Sequence, residues 1–515
     1  MSRWILPVSF LFALSACGGG GGGGGGNQPA QVPDSTVRFV HAIPDGPQLG
    51  LYYRPASDAG VSAASGSEIA FATAAQARPV AGAPVAGTAR GNVAAYLPAL
   101  ACPNSGFCGA PFGQETVAFE DGIDYLAIGF GTYDGDAREL ALVEWNEAED
   151  LPGTHVDLLM FHANSIRRSA PLALHILDET AAPSLASVVV STDFGQAATA
   201  QVAVSGAVRV VVTSDTAGLD VFYDSGLQTL PPGGSLALVI IDDPVHQGTM
   251  AVFVPRDEPA QRVANSLAPV ELRAINALQA DDPVIFDVEG DTAFFEQTAA
   301  FTALPQTANG TQVNRGVVTA ARSVSPQGLL GIAILDQLTN VKSASNPFVA
   351  APGSEFLVVA IGDNAGSSGS VGRLAFASDR RTQAGVARLR VVHVGRDIGE
   401  VDIYEVTPGS DINAGITCPP GGVGFCISVP FANPSITGLG NSAQTAYQLR
   451  TPGEIDLVIA DGTTFFPNRN ELARTTVELQ AGETYTVILR TEGMAGARAM
   501  LLNESAAPAL ILPLF

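Results

Sequence analysis

One short motif recurs four times in this chain, and the recurrence constrains the fold more than any other feature. It reads Val37-Arg-Phe-Val-His41, Leu158-Leu-Met-Phe-His162, Leu272-Arg-Ala-Ile-Asn276 and Leu389-Arg-Val-Val-His393. The polar residues that close it, His41, His162, Asn276 and His393, are 121, 114 and 117 residues apart. A fixed period means copies of one structural unit, and 515 residues are too many for a single core. A second apolar stretch follows each motif: Leu49 to Tyr53, Leu172 to Leu177, Val284 to Val288, and Val401 to Val406, the last alternating apolar and polar residues as a half-buried strand does.

The downstream half of the unit repeats as well. Asp121-Gly122, Pro232-Gly233, Pro352-Gly353 and Ala481-Gly482 each precede an apolar run. Glycine supplies the positive φ of a type II turn, and proline suits the position before it. Three residues on, Tyr125, Leu236, Phe356 and Tyr485 are expected to face the core. A final strand follows each turn, from Glu139, Thr249, Gly372 and Ala497. Short strands between Gly/Pro/Asp turns, with no long helical periodicity, predict an all-β chain of antiparallel β-sandwiches. The units are placed at residues 36–150, 151–261, 262–382 and 383–508, with an apolar tail at 509–515 expected to pack as a last strand. Ala56 to Gly91, rich in small residues, reads as a long surface loop.

The first residues give an address. Arg3 precedes an apolar run from Trp4 to Ala16, too short for an ordinary membrane span but suited to an export signal over residues 1–16. Leu14-Ser-Ala-Cys17 resembles a bacterial lipobox, which implies that Cys17 is acylated after the preceding peptide is removed. More than one acyl chain gives stable anchoring, so the expected partner at this end is a membrane. Gly18 stands where an aspartate would imply retention at the inner membrane, and the outer membrane is the expected destination. Nine glycines, Gly18 to Gly26, lie within a linker at residues 17–35 and behave as flexible coil spanning roughly 15–18 Å.

Four further cysteines form two short segments, Cys102 to Cys108 and Cys418 to Cys426, each opening with Cys-Pro and closing with Gly-Phe-Cys. Three pairings are possible. In an oxidising compartment each segment is expected to close on itself, stabilising its loop by roughly 2–3 kcal/mol. A four-cysteine zinc site is the alternative, but the spacings are wide of the usual zinc pattern.

The segments from Val37 to Tyr53 and from Leu389 to Tyr404, with Leu479-Gln-Ala-Gly-Glu-Thr-Tyr-Thr-Val-Ile488, resemble the bacterial domain of unknown function 4397. Its members open with Val-Arg-Val-Val-His-Ala-Ser-Pro-Asp-Ala-Pro and close with Ala-Gly-Thr-Tyr-Thr-Val. The likeness is clear in the first and fourth units and faint in the second and third, where Asn276 replaces the histidine. It implies exported proteins, often lipoproteins, built of Ig-like sandwiches, and brings no established chemistry. The fold expected is therefore four tandem Ig-like antiparallel β-sandwich domains after a lipoprotein signal peptide and polyglycine tether.

The chain has 26 basic and 50 acidic side chains, a net charge of −24. That balance excludes nucleic acid as a partner, since phosphate binding needs a basic face. Six histidines show no helical zinc spacing, and no nucleophile elbow or nucleotide-binding loop is present. Asn276 at a marker position argues for a structural cap, because an amide keeps a hydrogen bond but exchanges no proton at neutral pH. Acidic doublets at Asp242-Asp243 and Asp281-Asp282 fit turns better than a calcium ligand set. No cofactor, metal or catalytic residue is assigned. The expected function is a non-enzymatic envelope lipoprotein that displays its repeats for structural or adhesive contact with an envelope protein or glycan. Alternatives are an envelope hydrolase or accessory subunit with a site between repeats, and a ligand- or calcium-dependent carbohydrate-binding module.

Overall fold

In the computed structural model each motif forms the opening strand of a two-sheet unit. The structure describes residues 35–513 apart from 56–62, 65–68, 81–89, 98–107, 121, 134–136, 147–149, 215–218, 279–283, 291–305, 308–309, 314–317, 320, 325–327, 337–346, 363–370, 396–397, 414–415, 418–426, 429–433, 465–468, 493–495 and 506–509.

In the first unit the opening strand Ser35–His41 pairs in parallel with a closing strand, Asp124–Thr132, which pairs antiparallel with the final strand Ala137–Glu144. The same trio recurs as His155–His162, Ser235–Asp243 and Gly248–Pro255. It recurs again as Val270–Asn276, Glu355–Gly362 and Val371–Ser378. In the fourth unit it is Ala387–His393, Thr484–Glu492 and Gly496–Asn503. The second sheet of each unit is built on Gly50–Pro55, Leu172–Leu177, Val284–Gly290 or Val401–Val406. The two sheets close over one apolar core, as where Leu158 and Met160 meet Leu172 and Leu174. The chain is all-β, a series of four Ig-like sandwiches.

Three details depart from the sequence reading. The sheets are not wholly antiparallel: the second sheet intervenes between opening and closing strands, and so long a crossover lets them lie side by side in parallel. The segment from Ala56 to Gly91 is not all surface loop. It supplies Thr73–Ala74 and Arg78–Val80 to the opening strand, and it buries Phe71 and Ala72. The sheet of the second unit runs through Gln261–Val263, past the boundary set at 261. At the C-terminus, Leu510–Pro513 pairs with Gly496–Asn503 as the last strand of the fourth unit.

The opening strands are buried on both faces. Val37 and Phe39 point into the core of their own sandwich, whereas Val40 joins a cluster shared with Leu159, Phe161, Val239 and Val252 of the second unit. In the second half, Leu272 and Leu389 face their own cores, while Ile275 and Val392 meet in a shared cluster with Leu357, Val359, Ile488 and Met500. The four sandwiches are thus two pairs, first with second and third with fourth, each joined by opening sheets packed face to face. Burial on both sides explains why these strands read as near-continuous apolar runs, unlike Val401–Val406, whose outer positions are partly exposed.

Candidate functional site

The marker residues end the opening strands, and all four are fully buried. The Nδ1 atoms of His41, His162 and His393 accept the backbone N–H two residues on, from Ile43 at 3.3 Å, Asn164 at 3.2 Å and Gly395 at 3.1 Å. Their Nε2 atoms lie 2.6, 3.3 and 3.0 Å from the carbonyls of Pro47, Ala170 and Gly399. An acceptor at Nδ1 and a carbonyl at Nε2 fix the neutral Nε2–H tautomer. Asn276 Oδ1 accepts the N–H of Leu278 at 3.1 Å and so reproduces the first bond with an amide. Burial pushes the pKa of all three histidines down, that of His41 to about 3. Each ring pins the loop that leaves its strand and carries no exchangeable charge at neutral pH.

The repeated glycines take the left-handed backbone that the turn chemistry demands, with φ of 79° at Gly122, 76° at Gly233, 69° at Gly353 and 82° at Gly482. Each turn closes with an i to i+3 bond, such as Gly234 N–H to Pro231 O at 3.2 Å and Ser354 N–H to Ala351 O at 3.1 Å. In the outer units a tyrosine adds a clasp: the hydroxyls of Tyr125 and Tyr485 accept the N–H of Glu120 at 3.0 Å and Gln480 at 3.1 Å. Leu236 and Phe356 hold the same place without that oxygen.

The polar chemistry gathers at the seams between paired units. Arg38, Arg273 and Arg390 occupy one position of the motif, on the face turned toward the partner sandwich. Arg38 donates to the carbonyls of Pro255 at 2.5 Å and Glu258 at 2.8 Å, where the second unit's final strand ends. Arg273 reaches the Glu504 carbonyl at 3.0 Å, and Arg390 reaches back to that of Ala377, so the third and fourth units exchange equivalent contacts. Leu159 stands in this place in the second unit and packs in the same cluster as Trp145, at the end of the first unit's final strand. Only arginine offers enough donors in a planar fork to satisfy several carbonyls at once. Sequence reasoning passed over these arginines; the signal was their recurrence beside the marker.

Glu504 is the centre of the second seam. Its carboxylate accepts from Arg390 at 3.0 Å, from the Tyr447 hydroxyl at 2.9 Å, and from Ser378 and Thr486. Burial alone would raise its pKa, but Arg390 and these hydrogen bonds outweigh it and the net shift is downward. Beside it Arg380 bridges Glu271 and Glu355. At the equivalent end of the first seam Arg256 pairs with Asp124, and a cavity of about 280 Å³ opens between the two units.

The acidic doublet Asp242-Asp243 serves loops. Asp242 accepts the N–H groups of Ser165 and Ile166, each at 3.1 Å, and Asp243 those of Val245 and His246 at 3.1 and 3.3 Å. His246 Nδ1 also lies 2.9 Å from Asp243, while its Nε2 is buried without a hydrogen-bond partner. Burial lowers the pKa of His246, yet Asp243, with Glu271 and Glu355, lifts it above the ordinary value. Among the described residues no group of three or more His, Cys, Asp or Glu is arranged to hold a metal. Cys17, Cys102, Cys418, Cys426 and the doublet Asp281-Asp282 lie outside the described residues, and Cys108 is described only as the first residue of a strand.

No protein-family model and no curated protein matches the sequence. Among solved structures, the chain is similar to a proposed cell adhesion protein from Bacteroides eggerthii, with 11% identity and a TM-score of 0.19 over 45% of this chain and 98% of that one. It is similar to the Bacillus anthracis TIE protein, with 10% identity and a TM-score of 0.13 over 91% and 76% of the two chains. A third is the major pilin protein T-13 of Streptococcus pyogenes, at 11% identity and a TM-score of 0.08 over 58% and 96%. At these scores the likenesses carry no inference, and the fold rests on the sheets themselves.

Proposed function

We propose that this chain is a lipid-anchored, non-enzymatic protein of the bacterial outer membrane that holds out paired Ig-like sandwiches for structural or adhesive contact. The observation that carries this reading is the fate of the recurring histidines. The residue type best suited to proton transfer recurs at one place in three units, and each time its ring is fully buried with both nitrogens bound to backbone. The lipobox and the glycine linker support the anchor, and the resemblance to the domain of unknown function 4397 supports export. Two experiments test it. Cys17→Ala should release the protein from the membrane fraction, and retention would refute the anchor. Immobilised chain should capture an envelope protein or glycan from cell extracts; turnover of peptidoglycan, ester or glycan substrates by the pure protein would overturn the non-enzymatic reading.

A further inference from the structure

We propose that the contact between the two pairs of sandwiches is a pH-sensitive joint, in which protonation of His246 holds the second unit against the third. The pairs meet along the linker from Asp379 to Val386, which joins the third unit to the fourth. Arg388 of the fourth unit donates to the carbonyls of Asp379 at 3.1 Å and Arg381 at 2.7 Å. Toward the first unit, the backbone N–H of Ala384 donates to the Asp45 carbonyl at 2.8 Å, and the Arg381 guanidinium stands 5.0 Å from the centre of the Phe71 ring. Tyr133 N–H donates to the Asp45 carboxylate at 2.8 Å, which fixes that loop. Gln383 and Ala384 are buried. The adjacent Arg380 reaches instead to Glu271 and Glu355 of the third unit. One short run of chain thus touches both pairs.

His246 completes the joint from the second unit. Its ring edge lies against the turn at Gly353 of the third unit, 3.8 Å from where a Cβ would stand, and its side chain is 6% exposed. Nδ1 lies 2.9 Å from Asp243. Charged groups face the ring from each element around it. Asp243 comes from its own loop, Glu271 from the third unit's opening strand and Glu355 from its closing strand, while Arg380, which ties the two glutamates, comes from the linker. Asp242, beside Asp243, is turned to the N–H groups of Ser165 and Ile166.

Three carboxylates therefore stand against one guanidinium while the ring is neutral, and a proton on His246 halves that surplus. The cation is held to the second unit by Asp243 and attracted to two carboxylates of the third, so its loss acts on the contact between them. Burial lowers the pKa of His246, but the hydrogen bond to Asp243 and the charges of Asp243, Glu271 and Glu355 lift it above the ordinary value. A raised folded-state pKa makes this stabilisation whole below the ordinary value near 6.5, and it is lost as the pH rises through the raised value. The capping histidines respond in the opposite sense, because burial holds them neutral. The sign of the response separates His246 from them.

Hydrogen exchange of the Ala384 amide, corrected for its intrinsic rate, reads the joint, and exchange in Leu172–Leu177, inside the second unit, is the control. In the full-length chain carrying Cys17→Ala, protection of Ala384 should be about fivefold higher at about pH 6.5 than at about pH 8.5, the order of one ion pair. The control strand should be protected alike at both. His246→Gln, whose amide can still donate to Asp243, should abolish the difference. Glu271→Gln keeps the histidine but removes one carboxylate facing it, and should shrink the difference and move it to lower pH. The proposal is overturned if Ala384 is protected equally at the two pH values or more strongly in alkali, if either variant keeps the parent's difference, or if the control strand changes by the same factor.

Discussion

Arg390→Met should loosen the fourth unit from the third by stranding a buried charge. Arg390 is 1% exposed, and its guanidinium contacts Thr486 at 2.7 Å, Gln444 at 3.0 Å, Ser378 at 3.2 Å, Glu504 at 3.0 Å and the Ala377 carbonyl. Methionine fills much of the same volume, so little packing is lost. What remains is the Glu504 carboxylate, also 1% exposed, without its cation. Breaking a buried pair in this way costs about 3–5 kcal/mol. Tyr447, Ser378 and Thr486 still donate to the carboxylate, which places the loss near the lower end, about 3 kcal/mol. A chain of four units need not unfold in one step. Urea titration is therefore read by hydrogen exchange in Ala387–His393 and Thr484–Glu492. With a slope of about 2 kcal/mol per molar urea, the midpoint of those strands should fall by about 1.5 M. Adding Glu504→Met removes the stranded charge but leaves Tyr447, Ser378 and Thr486 without that acceptor, so the double variant should recover part of the loss and be more stable than the single one. A shift below about 0.3 M in the single variant, or a double variant no more stable than the single one, would refute the reasoning.

The capping histidines predict acid sensitivity. His41 is neutral when folded, with its pKa held at about 3, and returns to an ordinary value near 6.5 when unfolded. Its stabilisation is therefore complete above about pH 6.5 and falls as the pH drops from there toward 3, by about 1.4 kcal/mol per pH unit. His41→Asn, which copies Asn276, should flatten that slope in thermal melts, and an unchanged slope would contradict the buried neutral ring. Gly482→Ala forces an L side chain to a φ of 82° and should cost about 1–2 kcal/mol, seen as a drop in melting temperature. Phe161→Ala opens the shared core of the first pair and should cost about 3–5 kcal/mol. Trp145 lies in the same cluster, so its fluorescence in a urea titration reports the loss, and a midpoint equal to the parent's would mean that the two sandwiches do not share a core.

Much of each unit was legible in the sequence because its signals are local. A glycine that must take positive φ, a proline before it and a polar residue closing an apolar run act within a few residues, and they marked turns, strand starts and caps alike. The segment from Ala56 to Gly91 shows the converse: its small residues read as loop, and within it Thr73–Ala74 and Arg78–Val80 become strands only by pairing with Ser35–His41, beside the buried Phe71.

By itself, then, the sequence determined the number of units, their all-β class and the chemistry of their turns. Only the tertiary structure decided which units pair, and what the arginines beside the markers do. A strand buried on both faces carries no sign of which partner covers the second face, since that contact is made by residues far away in the chain, as Arg273 with Glu504. For the same reason Arg38, Arg273 and Arg390 look like surface charges until the partner's carbonyls are placed around them.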